Sequence, residues 1–261
     1  MRADYGERYA ELYRHHWWWR ARERVILDIL RSERPPQGWK RILDVGCGDG
    51  LLFDQLLQFG EVEGIEPAEA LVSKTGTHRA RIHIAPFDDK LRLENQFSLI
   101  LMLDVLEHLP SPLPAIQYAL ELLIPGGILL VTVPAFRLLW TGHDILNDHF
   151  TRYTKSSFRE LASQAGLQIE VERYLFQWLF PAKLVNRLAE RVFGIRPKPP
   201  AVPARWINEL LYGLSRFEQD TWGALPMPFG SSLMVIGRKR SCAGTSETCH
   251  GKHFDDKHDP S

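Results

Sequence analysis

Three glycines at alternating positions carry the clearest chemical signal in this sequence. An apolar run over residues 42–45 predicts a buried strand, and Gly46, Gly48 and Gly50 follow it before a helical pattern resumes at Leu51. A side chain at any of these positions would keep a ligand from lying against the backbone. The next helix offers unpaired backbone amides to the same ligand. The segment therefore predicts a turn that holds a nucleotide-like ligand.

The spacing of the glycines separates two classes of ligand. A dinucleotide-binding turn has the pattern G-x-G-x-x-G, in which a small third residue lets the helix pack closely on the strand. Here the pattern is G-x-G-x-G, and the bulky Leu51 stands at that third position. Asp44 adds a carboxylate that suits a cationic ligand without phosphate. An NAD-dependent oxidoreductase, which would use the same strand and turn, is therefore the weaker alternative.

Four sequence blocks resemble the class I S-adenosylmethionine-dependent methyltransferases. Residues 43–50 are similar to the first motif of that family, and residues 64–67, 97–108 and 125–134 resemble later motifs in the same order. The resemblance implies an α/β fold with a Rossmann-like, doubly wound sheet of seven strands. The sheet is expected to be mostly parallel, with an antiparallel last strand. S-adenosylmethionine is the expected cofactor.

The resemblance also implies a set of cofactor-binding residues. Glu66 follows the glycine turn by about twenty residues, where a carboxylate can bind both ribose hydroxyls. Asp104 is expected near the amino group of the cofactor. Asp88 is preferred over Asp89 as the residue near adenine. The expected cofactor-binding residues are Asp44, Gly46, Cys47, Gly48, Gly50, Glu66, Pro67, Asp88, Leu103, Asp104, Val105 and Arg20.

The N-terminal segment has two interpretations. Residues 3–31 read as helical and contain three consecutive tryptophans, which cannot all face one side of a helix. By resemblance, residues 1–36 form a helical cap over the cofactor, with Arg20 pairing with the methionine carboxylate. The alternative is a helix packed on the sheet with solvated arginines.

Two polar clusters could supply a base for methyl transfer to a hydroxyl. Histidine is the natural candidate because its pKa lies near neutrality. Residues 104–108 end a strand and contain His108, whereas residues 140–153 follow the fifth strand and should overhang the pocket. We predict His143 as the leading base, with His149 and His108 as further candidates. The predicted acceptor-site residues are Trp140, Asp144, Arg152 and Tyr153. Alternatively, the second cluster caps and pins the next helix.

Composition limits the class of protein. Lysine plus arginine equals aspartate plus glutamate, 32 against 32, which disfavours a nucleic-acid substrate. No apolar run approaches the roughly twenty residues of a membrane-spanning helix, and the charged first twenty residues do not read as a secretion signal. Three cysteines among 261 residues make no disulfide framework, so a cytoplasmic location is expected. Cys47 is expected to pack behind the cofactor rather than act as a nucleophile.

The remaining sequence sets the domain organisation. Residues 1–240 are predicted to form one methyltransferase domain, with a helical insertion over residues 175–230 before the last strand. Residues 241–261 lack apolar periodicity and are predicted to be a disordered tail. The cysteines and histidines of this tail match no standard zinc spacing, so no metal site is predicted.

The acceptor is predicted to be a small molecule methylated on oxygen. Aromatic residues crowd the insertion at 175–230, and they could enclose a hydrophobic or lipid-linked acceptor, contact a membrane surface, or pack against the sheet or a second subunit of a homodimer. A non-catalytic relative that only binds the cofactor is the other alternative.

Overall fold

The computed structural model describes residues 3–93, 96–194, 199–223 and 225–240. Its strands are β1 (Arg41–Val45), β2 (Glu61–Ile65), β3 (Ile82–His83), β4 (Phe97–Leu103), β5 (Leu123–Pro134), β6 (Gln168–Leu175) and β7 (Ser232–Arg238). They form one sheet in the order β3-β2-β1-β4-β5-β7-β6. β1 to β5 are parallel, and β7 runs antiparallel to both of its neighbours. The predicted sheet is therefore confirmed.

The helices are α1 (Ala3–His15), α2 (Trp17–Glu33), α3 (Phe53–Leu56), α4 (Leu113–Leu122), α5 (Gly142–Leu146), α6 (Lys155–Ala165), α7 (Leu179–Phe193) and α8 (Arg205–Thr221). The predicted helix over 3–31 is two helices, because the side chain of His16 accepts a hydrogen bond from Trp18 N and begins α2. α7 and α8 lie within residues 175–230, and the role of this segment as an insertion stays a prediction. No helix in the described ranges is long and apolar enough to cross a membrane. The predicted domain boundaries stay predictions, and the tail at 241–261 lies outside the described residues.

The sheet lies between two apolar layers, and β4 contributes to both. Leu99 and Leu101 face the layer that contains α2 and α3, whereas Ile100 and Met102 face the layer of α4 and α6. All four side chains are fully buried. Because β4 is covered on both faces, its sequence is a near-continuous apolar run. The order of strands reverses between β1 and β4, and ligands bind at such a point in open α/β sheets.

Two buried polar residues of α8 fix the helices that border this point. Asn208 accepts a hydrogen bond from Trp17 N and donates one to His15 O, both at 2.8 Å, where α1 meets α2. The carboxylate of Glu218 accepts hydrogen bonds from Gln177 N and Trp178 N, both at 2.9 Å, at the start of α7. α8 therefore holds both α2 and α7 in place.

Replacement of Glu218 by glutamine should destabilise the fold. The side-chain NH₂ group of the new glutamine would then face the backbone N–H of Gln177 or Trp178. Two buried donors without an acceptor cost about 1–3 kcal/mol. Urea unfolding followed by circular dichroism measures this loss. Glu209→Gln is the matched control, since Glu209 lies on the same helix but is exposed and pairs with Arg20. Equal midpoints for the two variants would contradict the role of Glu218.

Candidate active site

The glycine turn has the conformation that its sequence predicts. Gly46, Gly48 and Gly50 have φ values of 75°, 55° and 70°, in the left-handed region that favours glycine. A Cβ on Gly46 would lie 2.9 Å from Val105 Cγ2, whereas a Cβ on Gly48 would have no atom within 4 Å. Gly48 therefore leaves open space beside the backbone, into which a ligand fits.

Glu66 lies directly beside this turn. Its Oε2 accepts a hydrogen bond from Gly48 N at 3.0 Å, and its Oε1 accepts one from Ala68 N at 2.9 Å. Burial raises the pKa of Glu66, while these two hydrogen bonds lower it. Each carboxylate oxygen accepts one protein hydrogen bond and keeps a further lone pair. The two oxygens can therefore accept hydrogen bonds from two adjacent ribose hydroxyls. Pro67, another predicted cofactor-binding residue, follows Glu66 and is exposed.

Asp104 ends β4 in a strained conformation. Its φ is 57°, which is uncommon for a residue with a side chain. Its backbone N–H donates to Thr132 O at 2.8 Å, and its Oδ1 accepts from the Thr132 hydroxyl at 3.1 Å. Its Oδ2 lies 3.0 Å from Arg22 Nη2. Strain of this kind concentrates at functional sites, where the surroundings hold it in place.

Arg22 contacts the predicted cofactor residue Asp104, although the sequence did not indicate a role for it. Its Nη2 donates to the Thr132 hydroxyl at 3.3 Å as well as pairing with Asp104. Its buried Nε has no hydrogen-bond partner in the described part of the chain. Burial raises the pKa of Asp44 to about 7 against the opposing effect of the Arg22 charge. Arg22 thus joins α2 to the carboxyl ends of β1 and β4.

The structure places Arg20 differently from its predicted role. The guanidinium of Arg20 pairs with Glu209 at 2.6 Å and lies 4.2 Å from the ring centroid of Tyr212. It borders a polar cleft of about 570 Å³ that also includes Asp49 and Gly50. Residues two apart on a helix point about 200° apart. For this reason Arg22, and not Arg20, contacts Asp104.

The other predicted cofactor residues lie in three places. Leu103 and Val105 flank Asp104 and are partly buried. Cys47 packs behind the turn, since a Cβ on Gly64 would lie 2.4 Å from its Sγ. Burial raises the pKa of the Cys47 thiol, which leaves it protonated and unsuited to nucleophilic attack. Asp88 accepts a hydrogen bond from Lys90 N at 3.0 Å in the turn after β3.

Asp144 organises the segment over residues 140–153, which we call the α5 loop. Its side chain is fully buried and accepts hydrogen bonds from Thr141 N, His149 Nδ1 and two nitrogens of Arg152, at 2.8–3.0 Å. Burial alone would raise the pKa of Asp144, but the hydrogen bonds from His149 and Arg152 hold it well below its ordinary value. Asp144 is therefore an ionised centre on which the α5 loop is built.

Arg152 and Tyr153 make contacts within the protein that support this loop, and their role in an acceptor site stays a prediction. Arg152 is buried and donates to Ala135 O at 3.0 Å besides pairing with Asp144. Tyr153 is also buried, and its hydroxyl donates to Leu106 O at 3.2 Å. The ring centroid of the partly buried Trp140 lies 5.8 Å from the guanidinium carbon of Arg137. Each nitrogen of Arg152 and the hydroxyl of Tyr153 thus donate a hydrogen bond within the protein.

The three predicted histidines have unequal surroundings. His149 Nδ1 contacts Asp144 Oδ1 at 2.9 Å, which orients the ring. His108 makes an edge contact with His149 at 4.7 Å between centroids, and burial and His149 lower its pKa. The ring of His143 has no hydrogen bond to any described residue. The arrangement therefore favours His149 over His143 as an oriented imidazole.

A buried carboxylate lies next to these rings. The ligand atoms of Glu107, His108 and His149 lie within 4.8 Å of one another, a spacing that could hold a metal ion. Burial, followed by the charge of Asp104, raises the pKa of Glu107 well above its ordinary value. Its Oε2 has no hydrogen-bond partner in the described part of the chain. The contact of His149 with Asp144 accounts for the ring position without an ion.

Comparison with known proteins gives a consistent assignment. A family model described as a methyltransferase domain matches residues 16–172. A ubiquinone biosynthesis O-methyltransferase from Pseudomonas aeruginosa is 33% identical over 132 residues, which cover 45% of this chain and 57% of that protein. The chain thus spans about half the length of this relative. One from Xanthomonas axonopodis pv. citri is 29% identical over 200 residues, which cover 67% of this chain and 82% of that protein.

The fold agrees with this result. The crystal structure of an S-adenosylmethionine-dependent methyltransferase from Archaeoglobus fulgidus aligns with a TM-score of 0.53 at 12% identity. The alignment covers 83% of this chain and 94% of that chain. At this level of identity the similarity concerns the fold alone.

Replacement of Asp144 by asparagine should destabilise the protein by about 3–5 kcal/mol at pH 7, because it leaves the buried Arg152 charge unpaired. The folded-state pKa of Asp144 is lowered, so its contribution is present above about pH 4, the ordinary pKa of aspartate, and is lost as the pH falls further. The difference in unfolding free energy between wild type and variant should therefore shrink below about pH 4.

Asp148→Asn is the control for this experiment. Asp148 is exposed in the same loop, and its φ of 54° is one that asparagine tolerates. Chemical denaturation at several pH values compares the two variants. Equal and pH-independent effects would show that Asp144 does not organise the α5 loop.

Proposed function

Because this chain belongs to the class I S-adenosylmethionine-dependent methyltransferases, we propose that it transfers a methyl group to a hydroxyl of a small-molecule acceptor. The relatives named as O-methyltransferases support oxygen as the methylated atom. The family assignment replaces the oxidoreductase alternative. Formation of S-adenosylhomocysteine in a screen of hydroxylated small molecules tests the proposal.

One juxtaposition supports the cofactor site above all. At the carboxyl ends of the strands Gly48 contacts Glu66 and Arg22 contacts Asp104, and the charge of Asp44 interacts with both Arg22 and Glu66. The open space at Gly48 and the free lone pairs of Glu66 fit a ribose. Arg22 and Asp104 offer one charge of each sign, which fits the carboxylate and the ammonium of an amino acid.

The carboxylates at this edge of the sheet favour a cationic ligand over a phosphate. Asp44 and Glu66 are both buried, and after the larger effect of burial the Glu66 charge also raises the pKa of Asp44. A positive charge close by would reduce the cost of ionising these carboxylates, whereas a pyrophosphate would increase it. The burial of Asp44 thus supports a cationic ligand without phosphate.

The α5 loop supplies the proposed base. When bound, S-adenosylmethionine provides an activated methyl group, so the chain has to orient the acceptor and take up its proton. Asp144 orients His149 through Nδ1, which leaves Nε2 as the nitrogen that can accept a proton. His149 is therefore proposed as the base instead of His143.

Aromatic rings of α2 and the insertion support an acceptor with an apolar, ring-shaped part. Trp18 of α2 lies 4.5 Å from Phe176, and Phe136 lies 5.5 Å from Phe180 of α7, between ring centroids. Contact of the insertion with a membrane or a second subunit stays a prediction. The exposed apolar side chains Val185, Leu188, Val192 and Phe193 of α7 are the surface that such a contact would use.

Glu66→Gln should weaken binding of S-adenosylmethionine about tenfold or more, since the variant loses the charged acceptor of the ribose hydroxyls. Isothermal titration calorimetry measures the dissociation constant, and circular dichroism verifies the fold. Glu69→Gln is the control, because Glu69 is exposed three residues further on. Unchanged affinity in the Glu66 variant would rule out this cofactor site.

His149→Gln should lower kcat about 10²- to 10⁴-fold, the usual contribution of general base catalysis, with little change in affinity for S-adenosylhomocysteine. The same substitution at His143 should have a smaller effect on kcat. Initial-rate kinetics on an acceptor found in the screen provide the measurement. A larger loss in the His143 variant would return the role to that residue.

A further inference from the structure

A lysine of the insertion lies close to α2, the end of β4 and the α5 loop. The ammonium of Lys183, on α7, lies 5.3 Å from the ring centroid of Trp18, on α2. Its charge also interacts with those of Arg152, Asp144 and Asp104. Lys183 thus lies between the end of β4 and the α5 loop, where the acceptor would have to enter.

Lys183 differs from the two arginines beside it. Arg22 pairs with Asp104 at 3.0 Å, and Arg152 pairs with Asp144 at 2.8 Å. Lys183 has no ion pair or hydrogen bond with any residue in the part of the chain that is described. An ammonium that is partly removed from water is costly unless an anion is near. Lys183 is therefore a basic group with an open place for a negative partner.

We propose that Lys183 binds an anionic group of an aromatic methyl acceptor. The inference rests on the proposed function, because it specifies the chemical class of the molecule that the same site would methylate. A carboxylate or another ionised oxygen on the acceptor would pair with the ammonium and fix the position of the molecule. Lys183 then determines substrate specificity, while the proton of the hydroxyl goes to His149.

The aromatic part of this proposal comes from the rings around the lysine. Phe180 lies three residues before Lys183 and therefore on the same side of α7. It contacts Phe136 at 5.5 Å and Phe229 at 5.4 Å between ring centroids. Trp18 lies beneath the ammonium. A flat ring can pack against such a surface while its anionic substituent reaches Lys183.

The surroundings of Lys183 make the interaction dependent on pH. Burial and, to a smaller extent, the Arg152 charge lower the pKa of Lys183 to about 8, although the charges of Asp144 and Asp104 act in the opposite direction. The Lys183 charge also lowers the pKa of His143 after the larger effect of burial. Lys183 carries its charge below about pH 8 and loses it above. Affinity for an anion should therefore fall as the pH rises through this value.

The test is a binding experiment on the full chain saturated with S-adenosylhomocysteine. The probes are 4-methoxybenzoate, an anionic product analogue, and its neutral methyl ester, with isothermal titration calorimetry as the readout. At pH 7 the wild type should bind the acid about 10- to 100-fold more tightly than the ester, which corresponds to one charge-assisted contact. Lys183→Met should remove this preference, and Lys183→Arg should retain it.

Lys155→Met is the matched control. The Lys155 ammonium lies 5.2 Å from the ring centroid of Tyr174, the same kind of contact at the start of α6. This variant should keep the preference for the acid. A second test needs no variant, since the wild type alone should lose most of its preference between pH 7 and pH 9.

The outcomes separate this inference from the proposed function. The inference is wrong if the wild type binds acid and ester equally, if it binds neither, or if Lys183→Met retains the preference. In those cases the binding of S-adenosylhomocysteine and the methylation of neutral acceptors would leave the proposed function intact. If S-adenosylhomocysteine itself does not bind, the proposed function fails and the inference fails with it.

Discussion

The strained end of β4 is the constraint on which the site depends. Asp104 has a positive φ that costs about 1–3 kcal/mol, and the hydrogen bonds to Thr132 and the ion pair with Arg22 stabilise it. These contacts connect β4 with β5 and α2. The same backbone turn directs the side chain of Val105 against Gly46. The glycine turn, the Asp104 carboxylate and the N-terminal helices are thus positioned by one local conformation.

The electrostatic character of the site follows from this arrangement. Asp44 and Glu66 are removed from water, so their ionisation is costly until a positive charge is near. Arg22 supplies one positive charge and already shares it with Asp104. A ligand with a sulfonium and an ammonium adds positive charge where carboxylates are in excess. This balance separates the site from a dinucleotide site, in which backbone amides face a pyrophosphate.

The sequence predicted those elements whose formation depends on residues that are adjacent along the chain. The apolar run at 97–103 predicted β4 because that strand is buried on both faces, and the glycine spacing predicted the turn because left-handed backbone needs glycine. The role of Arg22 was missed because its contact with Asp104 depends on the rotation of α2 relative to the sheet. The break of the first helix at His16 was missed for a similar reason, since a histidine is an uncommon cap.

The α5 loop shows why the choice between the histidines needed a structure. The sequence places Asp144 next to His143, but neighbouring residues on a helix point in different directions, whereas His149 returns to Asp144 after α5 ends. The carboxylate that orients His149 is also the partner of the buried Arg152. On the sequence alone, catalysis and helix pinning are alternative roles for this loop. In the structure they share one residue, so the position of the proposed base is as stable as the loop itself.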